Sequence, residues 1–67
     1  MKQVDEMPTS GQFVAVWVLA TGDIFSDTLL WMEHGLYSYQ EDIDDYSYKP
    51  ERAVFYKENN AKYFVAE

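Results

Sequence analysis

Residues 12–32, QFVAVWVLATGDIFSDTLLWM, contain two apolar segments joined by a short polar turn. The segments, residues 12–20 and 24–32, are rich in Val, Ile, Phe and Trp, which favour strands. Thr21-Gly22-Asp23 separates them, and its glycine can adopt the positive φ of a tight turn. The stretch therefore predicts a β-hairpin and, with it, a mainly β domain.

The segments that follow extend this hairpin into an antiparallel meander. A turn at residues 33–35 leads into a third strand at residues 36–40, and residues 62–66 form the last strand. A chain of 67 residues holds no more than one domain. We therefore expect a single small sheet of four to five strands that spans residues 1–67.

Residues 50–58 are ambiguous between strand and helix. Four consecutive apolar side chains at positions 53–56 fit neither the strand period nor the helix period. We prefer a fourth strand at residues 52–58. The alternative is a short helix with Pro50 at its first position, where proline is well tolerated.

The expected register separates two faces of the sheet. The predicted pairs across the first turn are Ala20 with Ile24, Trp17 with Asp27, and Phe13 with Trp31. One face then carries most of the large side chains, namely Phe13, Ala15, Trp17, Leu19, Phe25, Leu29, Trp31, Tyr37 and Tyr39. We expect this aromatic face to be the core, because an antiparallel sheet usually buries one face.

Two features conflict with this simple division. Asp27 lies on the predicted core face, so it must lie near an edge or find hydrogen-bond donors. Val14, Val16 and Val18 lie on the face predicted to be exposed. We expect them to be covered by the last two strands, by a second copy of the protein or by a target.

Charge is distributed unevenly along the chain, whose net charge is −7. Residues 1–45 hold nine acids and one base, whereas residues 46–67 hold three acids and four bases. A strong negative charge disfavours direct binding to nucleic acids and to anionic membranes. The like charges also repel one another within a small domain, which works against its compactness. We therefore expect the charge either to keep the protein soluble or to face a basic partner.

The densest acidic run, residues 41–45, is the candidate site, within a predicted loop of about nine residues that ends at Pro50. Its carboxylates, spread over about 16 Å of extended chain, resemble the charge spacing of one nucleic-acid strand. Tyrosine offers a large contact area at a low entropy cost, which favours recognition surfaces. The predicted partner-binding residues are Glu41, Asp42, Asp44, Asp45, Tyr46 and Tyr48. The alternative is a solvated loop that serves only solubility.

Other kinds of site lack the residues that they require. The chain has no cysteine, which excludes disulfides and thiolate metal sites. Asp42 and Asp44 have the spacing of calcium-loop ligands, but Ala53 stands where such a loop needs a glutamate. His34 has no nucleophile or further ligand near it in sequence and is interpreted as a turn residue. We therefore expect no catalysis, no metal and no cofactor.

The location of the protein is inferred from its apolar segments. The longest apolar run covers only residues 13–20, far fewer than the ~20 residues of a membrane helix. The first residues, MKQVDEMP, contain no apolar signal region. We therefore expect a soluble protein of the cytoplasm.

Residues 7–17, MPTSGQFVAVW, resemble the start of short bacteriophage and prophage proteins of unknown function. Residues 24–31 and 61–65 match the later strands of that layout. The resemblance implies a small accessory protein that works in a host cytoplasm. It also implies a role shared by many such acidic proteins, which block host restriction, CRISPR or repair enzymes.

Together these observations favour a non-enzymatic inhibitor or modulator. It would dock its acidic surface on a basic surface of a host nucleic-acid-handling protein and act as a nucleic-acid mimic. The alternative is a structural module that self-associates through its sheet as a homodimer, because the valine face and the sheet edges are free to pair.

Overall fold

The computed structural model describes residues 1–67 and consists of one six-stranded antiparallel sheet with a helix packed against one face. The elements are β1 (Lys2–Val4), β2 (Gly11–Val18), β3 (Ile24–Met32), β4 (Gly35–Gln40), β5 (Asp45–Tyr48), α1 (Arg52–Glu58) and β6 (Lys62–Val65). The strand order is β1-β6-β2-β3-β4-β5, so β2 to β5 form a meander and β6 returns beside β2. The mainly β, antiparallel prediction is confirmed, with six strands rather than four to five.

The β2–β3 hairpin exists, but its register differs from the predicted one. Val18 pairs with Ile24 and the predicted partner Ala20 lies in the turn. The Leu19 N–H donates to the Asp23 carbonyl at 2.9 Å, which closes a longer loop than the three residues expected. Because the register moves by two residues, every side chain that remains paired keeps its predicted face, whereas Leu19 lies exposed in the turn.

The β3–β4 turn is shorter than predicted, and this change inverts one strand. Met32 pairs with Gly35, so the turn contains two residues rather than three. A change of one residue moves a whole strand to the opposite face. Leu36 and Ser38 therefore enter the core, and the prediction that Tyr37 and Tyr39 belong to the core face is wrong.

Residues 52–58 form α1, and the preferred assignment of a strand there is wrong. β5 and β6 both run antiparallel to strands that share one direction, so they are parallel to each other and need a crossover connection. The helix supplies this crossover. The helical period sends the apolar side chains of residues 53–56 to different sides of α1, so that Tyr56 is buried whereas Val54 and Phe55 remain exposed.

The core lies between α1 and the face of the sheet beneath it, which we call the covered face. Its buried apolar residues are Phe13, Ala15, Leu29, Leu36, Tyr56 and Tyr63. The Trp31 indole N–H donates to the Pro8 carbonyl at 2.7 Å and fixes the segment between β1 and β2. β1, which the sequence analysis did not include, forms the outer edge by pairing with β6.

Candidate functional site

The acidic run lies in a tight turn between β4 and β5 rather than in a loop of nine residues. The Asp44 N–H donates to the Glu41 carbonyl at 3.2 Å, and residues from Asp45 onward already pair with β4. Asp44 adopts a φ of 50°, a left-handed conformation that aspartate tolerates better than most residues. We call the residues Glu41, Asp42, Asp44 and Asp45 the acidic turn, and all four are exposed.

Local hydrogen bonds hold the acidic turn in place. The Tyr39 hydroxyl donates to the Asp44 carboxylate, and this hydrogen bond is the main reason why the pKa of Tyr39 is raised. The Tyr46 N–H donates to the Asp45 carboxylate at 2.7 Å. Each bond engages one carboxylate oxygen only, so the turn presents negative charge to solvent from a defined backbone.

The tyrosines of β4 and β5 lie on the sheet face opposite α1, which we call the open face. Tyr37 pairs with Tyr48, and Tyr39 with Tyr46, with ring centroids 5.2 and 5.6 Å apart. The Tyr46 hydroxyl accepts a hydrogen bond from the Gln12 amide at 3.1 Å, so this side chain reaches across the sheet. Tyr46 and Tyr48, predicted as partner-binding, therefore flank the acidic turn on this face.

Tyr48 also covers the β3–β4 turn. Its hydroxyl donates to the His34 carbonyl at 3.1 Å. Gly35 has a φ of +137°, and a Cβ added there would lie 3.2 Å from the Tyr48 ring. Glycine at this position therefore lets the tyrosine ring lie flat against the turn.

The open face is almost free of charge. Alternation along the paired strands assigns it Gln3, Gln12, Val14, Val16, Val18, Ile24, Ser26, Thr28, Leu30, Met32, Tyr37, Tyr39, Tyr46, Tyr48, Lys62 and Phe64. Lys62 is the only charged member. Val18 is 59% exposed and Ile24 is 70% exposed, because β6 extends the sheet instead of covering the valines. Aromatic side chains with little charge are typical of the centre of protein interfaces.

The covered face contains a buried polar cluster around Asp27, as the need for donors predicted. The Asp27 carboxylate accepts hydrogen bonds from the Ser38 hydroxyl at 2.6 Å, from Arg52 Nη1 at 2.8 Å and from the Tyr56 hydroxyl. Arg52 Nη1 also donates to the Ser38 hydroxyl at 2.9 Å. These contacts join β3 and β4 to α1.

The electrostatics of this cluster favour the protonated tyrosine and the charged arginine. Burial, followed by the hydrogen bond to Asp27, raises the pKa of Tyr56. Burial alone would lower the pKa of Arg52, but the hydrogen bond and charge of Asp27 outweigh it and raise that pKa. Ser38 and Tyr56 are inaccessible to solvent, and the hydrogen bonds of the cluster link α1 to the sheet. The donors around Asp27 were not predicted from the sequence, where the only signal was an acid on an apolar strand.

Two clefts flank the helix, and neither includes His34. One, of about 360 Å³, is lined by Trp17, Glu51, Arg52, Phe55 and Tyr56. The other, of about 510 Å³, lies beside the segment that follows β1 and is lined by Asp5, Glu6, Met7, Thr9, Lys57, Asn60, Ala61 and Tyr63. His34 is exposed in the β3–β4 turn. No group of three His, Cys, Asp or Glu side chains is placed to hold a metal ion.

Comparisons with protein-family models, with curated proteins and with solved structures found no match. No helix in the chain has the length and apolar character needed to cross a membrane. The most distinctive surfaces of the domain are the acidic turn and the open face.

Proposed function

We propose that the protein is a non-enzymatic binding module that docks on a basic surface of a nucleic-acid-handling protein. The observation that supports this proposal most is the juxtaposition of the exposed acidic turn with the tyrosines of β5. An acidic rim beside an aromatic, uncharged surface matches the anatomy of protein interfaces.

The acidic turn provides the electrostatic part of this binding. Four carboxylates within five residues attract the same lysine and arginine clusters that bind phosphates. A protein surface that carries this charge competes with nucleic acid for such a cluster. Because the attraction acts over a distance, association should be fast at low salt and slow at high salt.

The tyrosines provide contact area beside the charge. Tyr48 is half exposed, and the rings of Tyr46 and Tyr48 each contact a second tyrosine that restrains them. Restrained rings lose little entropy on binding, and their faces attract arginine and lysine side chains. The resemblance to phage and prophage proteins supports a host enzyme of restriction, CRISPR or repair as the partner.

The test is affinity capture from bacterial lysate with washes at low and high salt. The variant Asp42→Asn/Asp44→Asn/Asp45→Asn removes three charges and keeps the side-chain shapes. The control Asp5→Asn/Glu6→Gln/Glu58→Gln removes the same charge from exposed positions away from the acidic turn and its tyrosines. We expect a nucleic-acid-handling protein to be retained by wild type and control at low salt and lost by the variant. Equal capture by all three proteins, or no capture by any, would contradict the proposal.

A further inference from the structure

We infer that the open face binds a second copy of this chain, so that two sheets pack face to face around a two-fold axis. Because the open face includes Tyr46 and Tyr48, a basic partner that contacts these tyrosines binds the monomer, whereas the dimer offers such a partner only the acidic turns. Domains are built from layers, and an apolar sheet face is stable when another layer covers it. Here α1 covers one face only.

The composition of the open face supports a permanent neighbour. The two acidic residues that lie in strands, Asp27 and Asp45, both belong to the covered face, so the strand positions of the open face carry no acid. Val14, Val16, Leu30 and Phe64 instead form a half-buried apolar centre.

The size of the face matches that of a stable dimer. The sheet has six strands, which at a spacing of about 4.8 Å give it a width of roughly 24 Å, and its two longest strands have eight and nine residues. A face of this size offers a contact surface on the scale of an interface between two small proteins.

Charge complementarity supports a second copy as the occupant. Lys62 of β6 pairs with Val16 of β2, and Val16 pairs in turn with Ser26 of β3. If the register between β3 and β4 is continued beyond Leu29, Ser26 lies level with Glu41, the first residue of the acidic turn. Lys62 and the acidic turn therefore lie at the same end of the sheet but toward opposite edges. A two-fold axis parallel to the strands exchanges the edges and retains the end, so each Lys62 meets the acidic turn of the other copy.

The same axis places β4 and β5 of one copy over β6 and β1 of the other. Both acidic turns then lie on the rim at one end of the dimer, where a basic partner can contact them together.

The test is sedimentation velocity across a wide range of protein concentrations. We expect a species of twice the 7.9 kDa chain mass that gives way to monomer on dilution. A monomer at every concentration would overturn the inference.

A matched pair of variants locates the interface. Val18 is 59% exposed on the open face and Val54 is 58% exposed on α1, so glutamate at either position is accommodated by the isolated monomer. Val18 pairs with Ile24 at the end of the sheet that carries the acidic turns. We expect Val18→Glu to raise the dimer dissociation constant more than about tenfold and Val54→Glu to leave it unchanged. Equal effects, or none, would show that the open face is not the interface.

A charge exchange tests the axis itself. Lys62→Glu should weaken the dimer because it places like charges together, and adding Glu41→Lys should restore it. Circular dichroism of each variant establishes that the monomer is folded. Loss of the dimer without restoration would contradict the proposed two-fold arrangement.

Discussion

The covered face of the sheet contains a carboxylate, a guanidinium group and two hydroxyls that satisfy one another, whereas the open face contains valines and tyrosines with one lysine and no cover. On the covered face, α1 packs against the sheet, and the charged side chain of Asp27 is hydrogen-bonded. The open face has the apolar and aromatic composition of a protein interior, but no element of the chain packs against it. Folding of one chain accounts for the covered face, and we propose that binding accounts for the composition of the open face.

The largest difference in stability between the two faces is expected at two adjacent leucines of β3. Leu29 is fully buried on the covered face, whereas Leu30 is half-buried on the open face. Leu29→Ala should cost about 2–5 kcal/mol of unfolding free energy, and Leu30→Ala only about 1 kcal/mol in the monomer. Chemical denaturation in dilute solution measures both values. Equal losses would mean that the open face is part of the monomer's core.

The next largest loss of stability is expected from the polar cluster around Asp27, which holds α1 against the sheet. Arg52→Met leaves the buried Asp27 carboxylate with two neutral donors, the hydroxyls of Ser38 and Tyr56. We expect a loss of about 2 kcal/mol, because Arg52 is partly exposed and water replaces some of its contacts. Lys57→Met, on the same helix without an ion pair, should change the unfolding free energy by less than about 0.5 kcal/mol. If the two variants lose the same amount of unfolding free energy, the polar cluster around Asp27 does not hold α1 against the sheet.

A smaller effect is a loss of stability at alkaline pH that arises on the covered face. Burial raises the pKa of Tyr56 and of Tyr63 above the ordinary value near 10. Below pH 10 both states keep these protons and the stability is fully present. As pH rises further, the unfolded chain loses its protons first, so stability falls toward the folded-state pKa. Tyr56→Phe should flatten this decline in denaturation measurements above about pH 10, and an unchanged slope would contradict the assignment.

Much of the covered face could be predicted from the sequence. The strand-forming residues around Gly22 indicated the hairpin, and alternation placed Phe13, Ala15 and Leu29 on one side. The misassigned hairpin register did no harm, because a shift of two residues preserves the faces. Asp27 on this side indicated a need for donors, although their identity depended on where α1 lies.

Other features depended on geometry that the sequence does not specify alone. A two-residue turn before Gly35 in place of three inverted β4 and moved its tyrosines to the open face. The helix arose from the need to connect the parallel strands β5 and β6, which local periodicity does not reveal. The acidic run was predicted as a site within a loop of nine residues, but it lies in a tight turn, which follows from the pairing of Asp45 to Tyr48 with β4.

The most direct test of the open face as an interface is the solvent exposure of valine methyl groups, measured by NMR with a soluble paramagnetic agent. Val14, Val16 and Val18 lie on the open face, and Val54 on the helix is the internal reference. We predict that the open-face methyls become protected as concentration rises, while Val54 stays as accessible as in dilute solution. Open-face methyls whose accessibility stays the same at every concentration would contradict the open face as an interface.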